Sequence, residues 1–373
     1  MRRYHISIII ITVVTIIVGV IAAIEFHKLH IKEPLFPSDG LSSKKLLSDY
    51  FEGVKGTNGD TEVYMFDSGN PGATVFLAGG THPNEPAGYI ASVVILENLI
   101  PVMGKIIIIP RLNNSGFTCT DPMEAFPQVF HIETAEGSRW FRFGSRGTNP
   151  VDQWPDPLVY SHKPSGQQYS GLESRNLNRA YPGDPHGSLT EKVAYAIVQL
   201  IEKENVDISY DLHEAAPEIP IINAIVYHEK AEDIVMYSIL ELEMEGLQFA
   251  PELSPGNFHG LSHREWGDYT ETLPFLMETS SPIQGRLRGK TNEELIINGI
   301  SKNYQMAKET GALRIVYRDE GEHLKHRVGR HLAGFMAILS AYNELHSDKP
   351  VKVSGLPGYQ DLVENGIGEY LNN

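Results

Sequence analysis

The stretch of residues 73–88 constrains the fold more than any other part of the chain, because it combines three structural signals in order. Residues 73–78 form an apolar run that is typical of a strand, and the two glycines that follow allow a sharp turn. Pro86 suits the first turn of a helix, where a backbone N–H is not needed. The order of strand, tight loop and helix predicts one unit of an α/β fold.

Two residues of that loop have side chains that bind metals. His82 and Glu85 stand three residues apart on a short turn, so both can be directed at one point. A neutral imidazole with a carboxylate is ligand chemistry that zinc prefers. An isolated His-x-x-Glu pattern also occurs in ordinary polar loops, so the rest of the chain decides between the two interpretations.

Composition bounds the class of protein. The chain of 373 residues is 41% hydrophobic, which is ample for the core of one large α/β domain or two smaller ones. It has 47 acidic and 31 basic residues, a formal net charge of -16 and no basic stripe interleaved with aromatics, which argues against nucleic acid as a partner. The single cysteine, Cys119, excludes an intramolecular disulfide and a cysteine-based zinc site, so His, Asp and Glu must hold any metal.

Residues 4–24 form an almost wholly apolar segment that is long enough to cross a bilayer as a helix. We interpret it as an uncleaved membrane anchor. The alternative is a secretory signal, for which Ala22 and Ala23 offer a cleavage site. Arg2 and Arg3 precede the segment and indicate, by the positive-inside rule, that the rest of the chain is exported, or secreted if the segment is cleaved.

Sequence patterns divide the remainder of the chain into three parts. Residues 25–45 are interpreted as a linker, residues 46–345 as the globular domain and residues 346–373 as a polar, glycine-rich tail. Within the domain, residues 118–174 are irregular, rich in proline and aromatics, and long for a loop. We interpret them as an insertion that is either a lid over the functional site or a cover for an edge of the core.

Apolar runs and turn signals predict the regular elements. Strands are predicted at residues 63–66, 74–77, 105–109, 206–212, 222–227 and 272–277. Helices are predicted at residues 87–99, 188–204, 229–245, 291–309 and 324–345. Continuous apolar runs are typical of strands buried on both faces. The predicted fold class is therefore α/β, with a mixed, largely parallel central sheet flanked by helices and preceded by one N-terminal transmembrane helix.

Functional side chains follow the ends of four predicted strands, at His82, Arg111, His213 and Glu278. In an open α/β sheet, ligands bind at the carboxyl ends of the strands. His82, Glu85 and His213 fill three positions of a tetrahedral zinc site and leave the fourth for water, as in catalytic sites. Glu278 is the expected general base, because the end of an apolar run is a costly place for a charge without a function.

These motifs together resemble the zinc carboxypeptidase superfamily. The resemblance rests on His82-x-x-Glu85, Asn178-Arg179, His213 in Asp-Leu-His after a hydrophobic strand, and Glu278. Residues 79–86, Gly-Gly-Thr-His-Pro-Asn-Glu-Pro, and residues 176–183, Asn-Leu-Asn-Arg-Ala-Tyr-Pro-Gly, are most similar to the aspartoacylase and succinylglutamate desuccinylase branch.

The resemblance implies a role for each motif. One Zn²⁺ per chain is expected to be held by His82, Glu85 and His213, with Glu278 activating water. The substrate carboxylate is expected to be held by Asn178 and Arg179, which suits the bidentate geometry of a guanidinium.

The resemblance also implies a further arginine that stabilises the oxyanion. Arg175 and Arg111 are both candidates for that role, and the choice between them stays open. Arg264 is an additional candidate for contact with the substrate, with a surface ion pair as the alternative.

The function expected from these features is zinc-dependent hydrolysis of an amide bond next to a free carboxylate, with a small N-acyl amino acid as the substrate. One alternative is a zinc metallocarboxypeptidase that acts on peptides or on cell-wall stem peptides. An alternative of another class is a non-catalytic module that binds peptides or glycans. The presence of Glu278 together with all three candidate ligands favours the enzyme.

Overall fold

The structure is a computed structural model in which residues 2–121 and 127–372 are described, so part of the predicted insertion lies outside the described residues. The chain divides into two compact units, Met1–Pro34 and Leu35–Asn373. The first unit contains helix α1 (Arg2–Lys28). Its segment Tyr4–Lys28 is long and apolar enough to cross a membrane, and a signal sequence meets the same criterion.

The second unit is built from short strands and flanking helices. Its strands are β1 (Ser43–Leu46), β2 (Glu62–Asp67), β3 (Thr74–Ala78), β4 (Ile100–Met103), β5 (Lys105–Ile109), β6 (Val129–Thr134), β7 (Gly137–Arg142), β8 (Val159–Ser161), β9 (Gln168–Ser170), β10 (Ile208–Ala215), β11 (Ala224–Tyr227), β12 (Ala250–Leu253), β13 (Leu273–Ser280) and β14 (Lys352–Ser354). Its helices are α2 (Pro86–Asn98), α3 (Leu189–Lys203), α4 (Glu232–Met244), α5 (Ser262–Tyr269), α6 (Glu293–Asn298), α7 (Lys302–Glu309), α8 (Leu324–Leu345) and α9 (Tyr359–Asn365).

Eight strands form the central sheet in the order β1-β2-β5-β3-β10-β13-β11-β12. Strands β5, β3, β10 and β13 run parallel to one another, and β11 and β12 are also parallel. The β1/β2, β2/β5 and β11/β13 pairs are antiparallel. The predicted mixed, largely parallel sheet with flanking helices is therefore confirmed.

The central strands are buried on both faces, as their apolar runs predict. In β3, Val75 and Leu77 belong to the apolar cluster formed with α2 and α8. Phe76 and Ala78 belong to the opposite cluster, formed with α3. This division follows from the alternation of side chains along a strand. The residues that follow β3 leave the sheet at its carboxyl edge.

Two predicted helices differ from the observed ones. The helix predicted at residues 291–309 is divided into α6 and α7, because Gly299 ends α6 in the left-handed conformation, with φ of 66°. The helix predicted at residues 229–245 begins with one 3-10 turn, Glu229–Ala231, before α4. The predicted helix at residues 188–204 begins with a capping box, in which Ser188 and Glu191 bond reciprocally at the start of α3.

The predicted tail and insertion both contain regular structure. In the tail, β14 pairs with β4, and α9 packs against α8. In the insertion, β6 pairs with β7 and β8 pairs with β9 as two hairpins. Phe130 and Phe141 of the first hairpin are buried in the main apolar cluster, so this part of the insertion covers an edge of the core.

Candidate active site

The three predicted metal ligands meet at the carboxyl edge of the sheet. His82 and Glu85 lie between β3 and α2, and His213 lies in β10, the strand that pairs with β3. His82 Nδ1 is 2.9 Å from Glu85 Oε1, His213 Nδ1 is 3.0 Å from Glu85 Oε2, and the two Nδ1 atoms are 3.2 Å apart. All three residues are buried, and their ligand atoms lie within 4.8 Å of one another.

The hydrogen-bond partner of His82 Nε2, on the side of the ring away from Glu85, identifies the tautomer of His82. His82 Nε2 lies 2.8 Å from Asn176 Oδ1. That amide oxygen also accepts a hydrogen bond from the backbone N–H of Asn178, and the Asn176 amide nitrogen donates to Glu173, so the orientation of the amide is fixed. His82 therefore donates from Nε2, and its Nδ1 has a lone pair directed into the site.

His213 is oriented in the same way by a buried carboxylate. Its Nε2 lies 2.9 Å from Asp211 Oδ2. Asp211 also accepts hydrogen bonds from the hydroxyls of Thr81 (2.7 Å) and Ser262 (2.6 Å). Two hydroxyl donors hold the Asp211 carboxylate beside the ring, and its negative charge keeps the proton on Nε2 of the imidazole, so Nδ1 again faces inward.

This arrangement requires a positive charge at its centre. The Nδ1 lone pairs of His82 and His213 and both oxygens of Glu85 face one another, and acceptors this close repel unless a cation stands among them. A proton on His213 supplies such a charge: burial opposes it, but Asp211 raises the pKa of His213 well above its ordinary value. A divalent metal ion is another source of such a charge, and two imidazoles with one carboxylate are ligands that suit zinc.

The protonation states of the other two residues also suit metal binding. Burial, assisted by the nearby Arg146, lowers the pKa of His82 to about 4, so the ring is neutral at pH 7. Burial opposes the charged form of Glu85, but the two histidines outweigh it and hold the pKa of Glu85 well below its ordinary value. The backbone N–H of Glu214 donates to Glu85 Oε2 at 3.0 Å, which further stabilises the carboxylate.

Glu278 lies beside the ligand group on the neighbouring strand. It is paired with His213 across β10 and β13, so both side chains lie on the same face of the sheet. Its Oε2 is buried and has no hydrogen-bond partner among the described residues. Burial raises the pKa of Glu278 to about 8, and the charge of Glu85 acts in the same direction. A carboxyl group with such a pKa can take up and release a proton near neutral pH.

One cavity of about 360 Å³ connects these groups. Its polar lining includes His82, Glu85, His213, Glu278, Asn178, Arg179 and Arg146. Its apolar lining includes Ile219, Ile221, Val226, Leu253, Phe258 and Leu276. The cavity therefore brings the candidate ligands, a carboxyl group and two guanidinium groups to one small volume beside an apolar wall.

Arg179 is held in this cavity by contacts on several sides. The rings of Tyr169 and Phe258 lie 5.6 and 5.3 Å from its guanidinium carbon. Its Nη1 donates to the carbonyl oxygen of Asn178 at 2.6 Å, and its Nε lies 3.7 Å from Glu173 Oε2. Tyr169 comes from the insertion, so this second part of the insertion contributes to the site and does not only cover the core.

Three arginines that the sequence singles out are not among the residues that line the cavity. Arg175 forms an ion pair with Asp156 at 2.8 Å. Arg111 is buried with its guanidinium carbon 5.2 Å from the ring of Phe117, and Arg264 pairs with Asp268 at 3.0 Å. The structure thus brings Asn178, Arg179, Glu278 and the three candidate ligands together, and places Arg111, Arg175 and Arg264 elsewhere.

Arg146 lines the cavity but was not identified from the sequence. Its Nη1 donates to Glu85 Oε1 at 2.8 Å, and its side chain is 41% exposed. It lies in the insertion, where no periodic pattern indicates which residues point inward. The only signal in the sequence is the further arginine that the resemblance implies, for which Arg111 and Arg175 were the candidates.

A second group of possible metal ligands contains His228, Glu229 and Asp268. The guanidinium of Arg264 already occupies this group, 2.6 Å from Glu229 Oε2 and 3.0 Å from Asp268 Oδ2. It supplies the positive charge that the carboxylates require. This group is therefore explained as a partly exposed ion-pair network.

Comparisons with known proteins agree with the resemblance predicted from the motifs. No family model matches the chain. The chain is 26% identical over 159 residues to N-alpha-acetyl-L-2,4-diaminobutyric acid deacetylase of Halomonas elongata, a match that spans 42% of this chain and 33% of the relative. The chain thus matches about a third of the length of that curated relative.

Similar solved structures include a succinylglutamate desuccinylase/aspartoacylase from Rhodobacter sphaeroides, with 15% identity and a TM-score of 0.39 over 80% of this chain and 61% of that one. They also include a metallo-carboxypeptidase from Burkholderia cenocepacia, with 11% identity and a TM-score of 0.45 over 80% of this chain and 68% of that one. These structures belong to the two classes that the motifs resemble. The similarity to a deacetylase supports a hydrolase.

Proposed function

We propose that the chain is a zinc-dependent hydrolase that cleaves the amide bond of a small N-acyl amino acid. One observation carries the proposal: His82, Glu85 and His213 converge in the same cavity as Glu278, whose buried Oε2 has no hydrogen-bond partner among the described residues. The similarity of the chain to a deacetylase supports the same class of reaction. One Zn²⁺ per chain would be held by His82, Glu85 and His213.

The proposed reaction assigns proton transfer to Glu278. When bound, the metal ion supplies Lewis-acid chemistry, which polarises the substrate carbonyl and makes water more acidic. Glu278 accepts the proton of the attacking water and then donates it to the leaving amine. Glu278 has a pKa of about 8 in the metal-free protein, so it can both accept and release a proton near neutral pH. A cation beside the carboxylate lowers that pKa toward neutrality.

Two arginines are proposed to position the substrate. Arg179, with Asn178, binds the free carboxylate beside the scissile amide through parallel hydrogen bonds. Arg146 reaches the carbonyl oxygen as negative charge develops on it, because only one of its guanidinium nitrogens is engaged by Glu85. The aromatic rings of Tyr169 and Phe258 hold the Arg179 guanidinium and thereby fix where the substrate carboxylate lies.

The cellular location follows from the first unit and is also a proposal. Helix α1 is proposed to anchor the chain in a membrane, with the catalytic domain exported. A small-molecule substrate, an N-acyl amino acid or a short peptide, would then meet the enzyme outside the cytoplasm.

Hydrolysis by the zinc-loaded chain tests this proposal. The panel contains N-acyl amino acids, their matched amides that lack the free carboxylate, and short peptides. We expect the acyl amino acids to be cleaved, the matched amides to react poorly, and Glu278→Gln to lower kcat by about 10²–10⁴-fold while the metal stays bound.

The control is Glu271→Gln, an exposed position just before β13, which is expected to leave kcat unchanged. Preferential cleavage of peptides would replace the deacylase with a carboxypeptidase. Full activity of Glu278→Gln, or no hydrolysis of any compound in the panel, would contradict the proposed function.

A further inference from the structure

The apolar wall of the cavity continues into a row of side chains across the sheet. Leu276 of β13 pairs with Val226 of β11, which pairs with Glu252 of β12. Paired residues lie on the same face, and Glu278 is on this face too, since it follows Leu276 by two residues. The row therefore runs from the catalytic edge over two apolar side chains to a carboxylate, and all three line the cavity.

Glu252 lies at a distance from the reacting groups that suits a substrate side chain. It is two strands away from the strand of Glu278, which corresponds to about 10 Å between backbones. It is partly exposed, and no salt bridge joins it to any of the described residues. In β12 it is followed by Leu253, and the chain then leads to Phe258, which packs on the guanidinium of Arg179. The carboxylate-binding arginine and Glu252 thus belong to adjoining parts of one wall.

The cations of the cavity are already engaged by other groups. Among the described residues that line it, the only Lys or Arg are Arg146 and Arg179. Arg179 is assigned to the substrate's free carboxylate, and Arg146 to Glu85 and the carbonyl oxygen. A second carboxylate, as in an acidic amino acid, would meet Leu276, Val226 and the negative charge of Glu252, which disfavours it.

We propose that the cavity selects an amino-acid portion with an aliphatic side chain that ends in a positive charge, as in lysine, and that Glu252 determines this specificity. The side chain lies along Leu276 and Val226, and its ammonium group pairs with the Glu252 carboxylate. A four-carbon stem with a charged end suits this path, because the stem buries apolar surface while the end stays partly hydrated. This inference rests on the proposed hydrolase function.

Three substrates that differ in one feature test the proposal. N-acetyl-lysine (acetylated on the α-amino group), N-acetyl-norleucine and N-acetyl-glutamate share the free α-carboxylate and the acetyl group. Norleucine has the aliphatic side chain of lysine without the charge. For the zinc-loaded wild type we expect kcat/KM to fall in that order. Glu252→Gln is expected to lower kcat/KM for N-acetyl-lysine by about 10–100-fold and to change N-acetyl-norleucine by less than about twofold.

Two further variants sharpen the test. Glu252→Lys is expected to reverse the order of N-acetyl-lysine and N-acetyl-glutamate, because it reverses the charge at the end of the row. Glu243→Gln, on the exposed face of α4, is the matched control and is expected to change none of the three values. Binding of the same three compounds to Glu278→Gln, measured by calorimetry, is expected to show the same preference without turnover.

The outcomes separate the two proposals. Faster cleavage and tighter binding of N-acetyl-glutamate, or equal effects of Glu252→Gln on all three compounds, would overturn the specificity and leave the hydrolase intact. Absence of hydrolysis with lysine-selective binding would overturn the hydrolase and support the role of Glu252. Absence of both hydrolysis and selective binding would overturn both.

Discussion

Each candidate histidine ligand is supported from behind by a polar side chain. Asp211 holds His213 through Nε2, and Asn176 holds His82 through Nε2, so both Nδ1 atoms point to the same place. Asp211 is fully buried, and its pKa is lowered: burial opposes this, but the contact with His213 and two hydroxyl donors outweigh it. Asp211 therefore stays negatively charged and can orient His213, the neighbouring candidate metal ligand.

The support of His213 gives a testable prediction. Asp211→Asn keeps the shape of the side chain but removes its charge, so the His213 ring loses its strongest acceptor. We expect zinc affinity to fall by about 10–100-fold, measured by competition with a chelator of known affinity. Ser209→Ala, in the same strand but without a hydrogen-bond partner for its hydroxyl among the described residues, is the control. Unchanged affinity in Asp211→Asn would contradict the role of this carboxylate.

The raised pKa of Glu278 predicts a pH dependence of stability in the metal-free protein. The pKa is about 8 in the folded state and 4.5 in the reference state. Between these two pH values the folded state binds more protons than the unfolded state. The contribution of Glu278 to the free energy of unfolding is therefore fully present below pH 4.5 and is lost as pH rises through 8. The loss contributed by Glu278 is at most about 1.4 kcal/mol per pH unit in this range.

Urea unfolding of chelator-treated protein at several pH values measures this loss. The Glu278→Gln variant lacks the titrating group and should show a flatter dependence than the wild type across the same range. Identical curves for the two proteins would show that Glu278 titrates at its ordinary pKa.

Sequence reasoning located the candidate ligands because each follows a strand whose apolar run is readable. Residues 79–85 follow β3, and His213 and Glu278 lie near the ends of β10 and β13. Arg146 escaped the same reasoning because its position depends on how an irregular segment folds back over the site. The choice between Arg111 and Arg175 could not be made either, since it depends on ion pairs such as that of Arg175 with Asp156.

At the level of elements, one buried ion pair joins parts of the chain that are distant in sequence. Glu97, near the end of α2, pairs with Arg139 of β7, with oxygen to nitrogen distances of 2.6 and 2.8 Å. Its carboxylate also accepts hydrogen bonds from the backbone N–H groups of Phe36 and Asn372. The first hairpin of the insertion and both ends of the compact unit are thus fixed to a single helix.

Truncation of this ion pair should be costly. Glu97→Ala leaves the buried guanidinium of Arg139 without its carboxylate, and we expect the free energy of unfolding to fall by about 3–5 kcal/mol. Lys308→Ala, which removes an exposed pair with Asp319, should cost less than about 1 kcal/mol. Denaturant unfolding of both variants measures the difference, and equal costs would contradict the role of Glu97.

Elements with a long continuous sequence pattern are predicted well, and elements with a short or interrupted pattern are not. The strand at residues 105–109 and the helix at residues 324–345 are observed as β5 and α8 with the same bounds. The hairpins of the insertion and the elements of the tail have three to seven residues each, too few for periodicity to reveal. Their positions depend on contacts with other elements, such as those of β6 with α6 and of α9 with α8, which a local pattern does not contain.

At the level of the whole molecule, the two compact units differ in what they contain. The unit Leu35–Asn373 contains the complete central sheet and every residue that lines the cavity. The unit Met1–Pro34 contains an apolar helix whose side chains are exposed within the chain itself. A segment of this kind is stable in a lipid environment and unfavourable in water.

Removal of residues 1–34 should therefore change the cellular location of the protein but leave the candidate metal site unchanged. We expect the full chain to remain in the membrane fraction after an alkaline wash, and the shortened chain to be found in the soluble fraction. Zinc affinity and denaturant stability of the shortened chain should equal those of the detergent-solubilised full chain. Release of the full chain by the wash would contradict the anchor. A shorter mature N-terminus found by mass spectrometry would favour a cleaved signal over an anchor.

We propose that His82, Glu85 and His213 form one metal site. Anomalous diffraction at the zinc edge, from crystals of the zinc-loaded protein, locates any bound zinc. We expect one zinc ion per chain, bound by Nδ1 of both histidines and by the Glu85 carboxylate, and no ion at His228, Glu229 and Asp268. An empty first site, or zinc bound only at the second group, would contradict the proposed metal site.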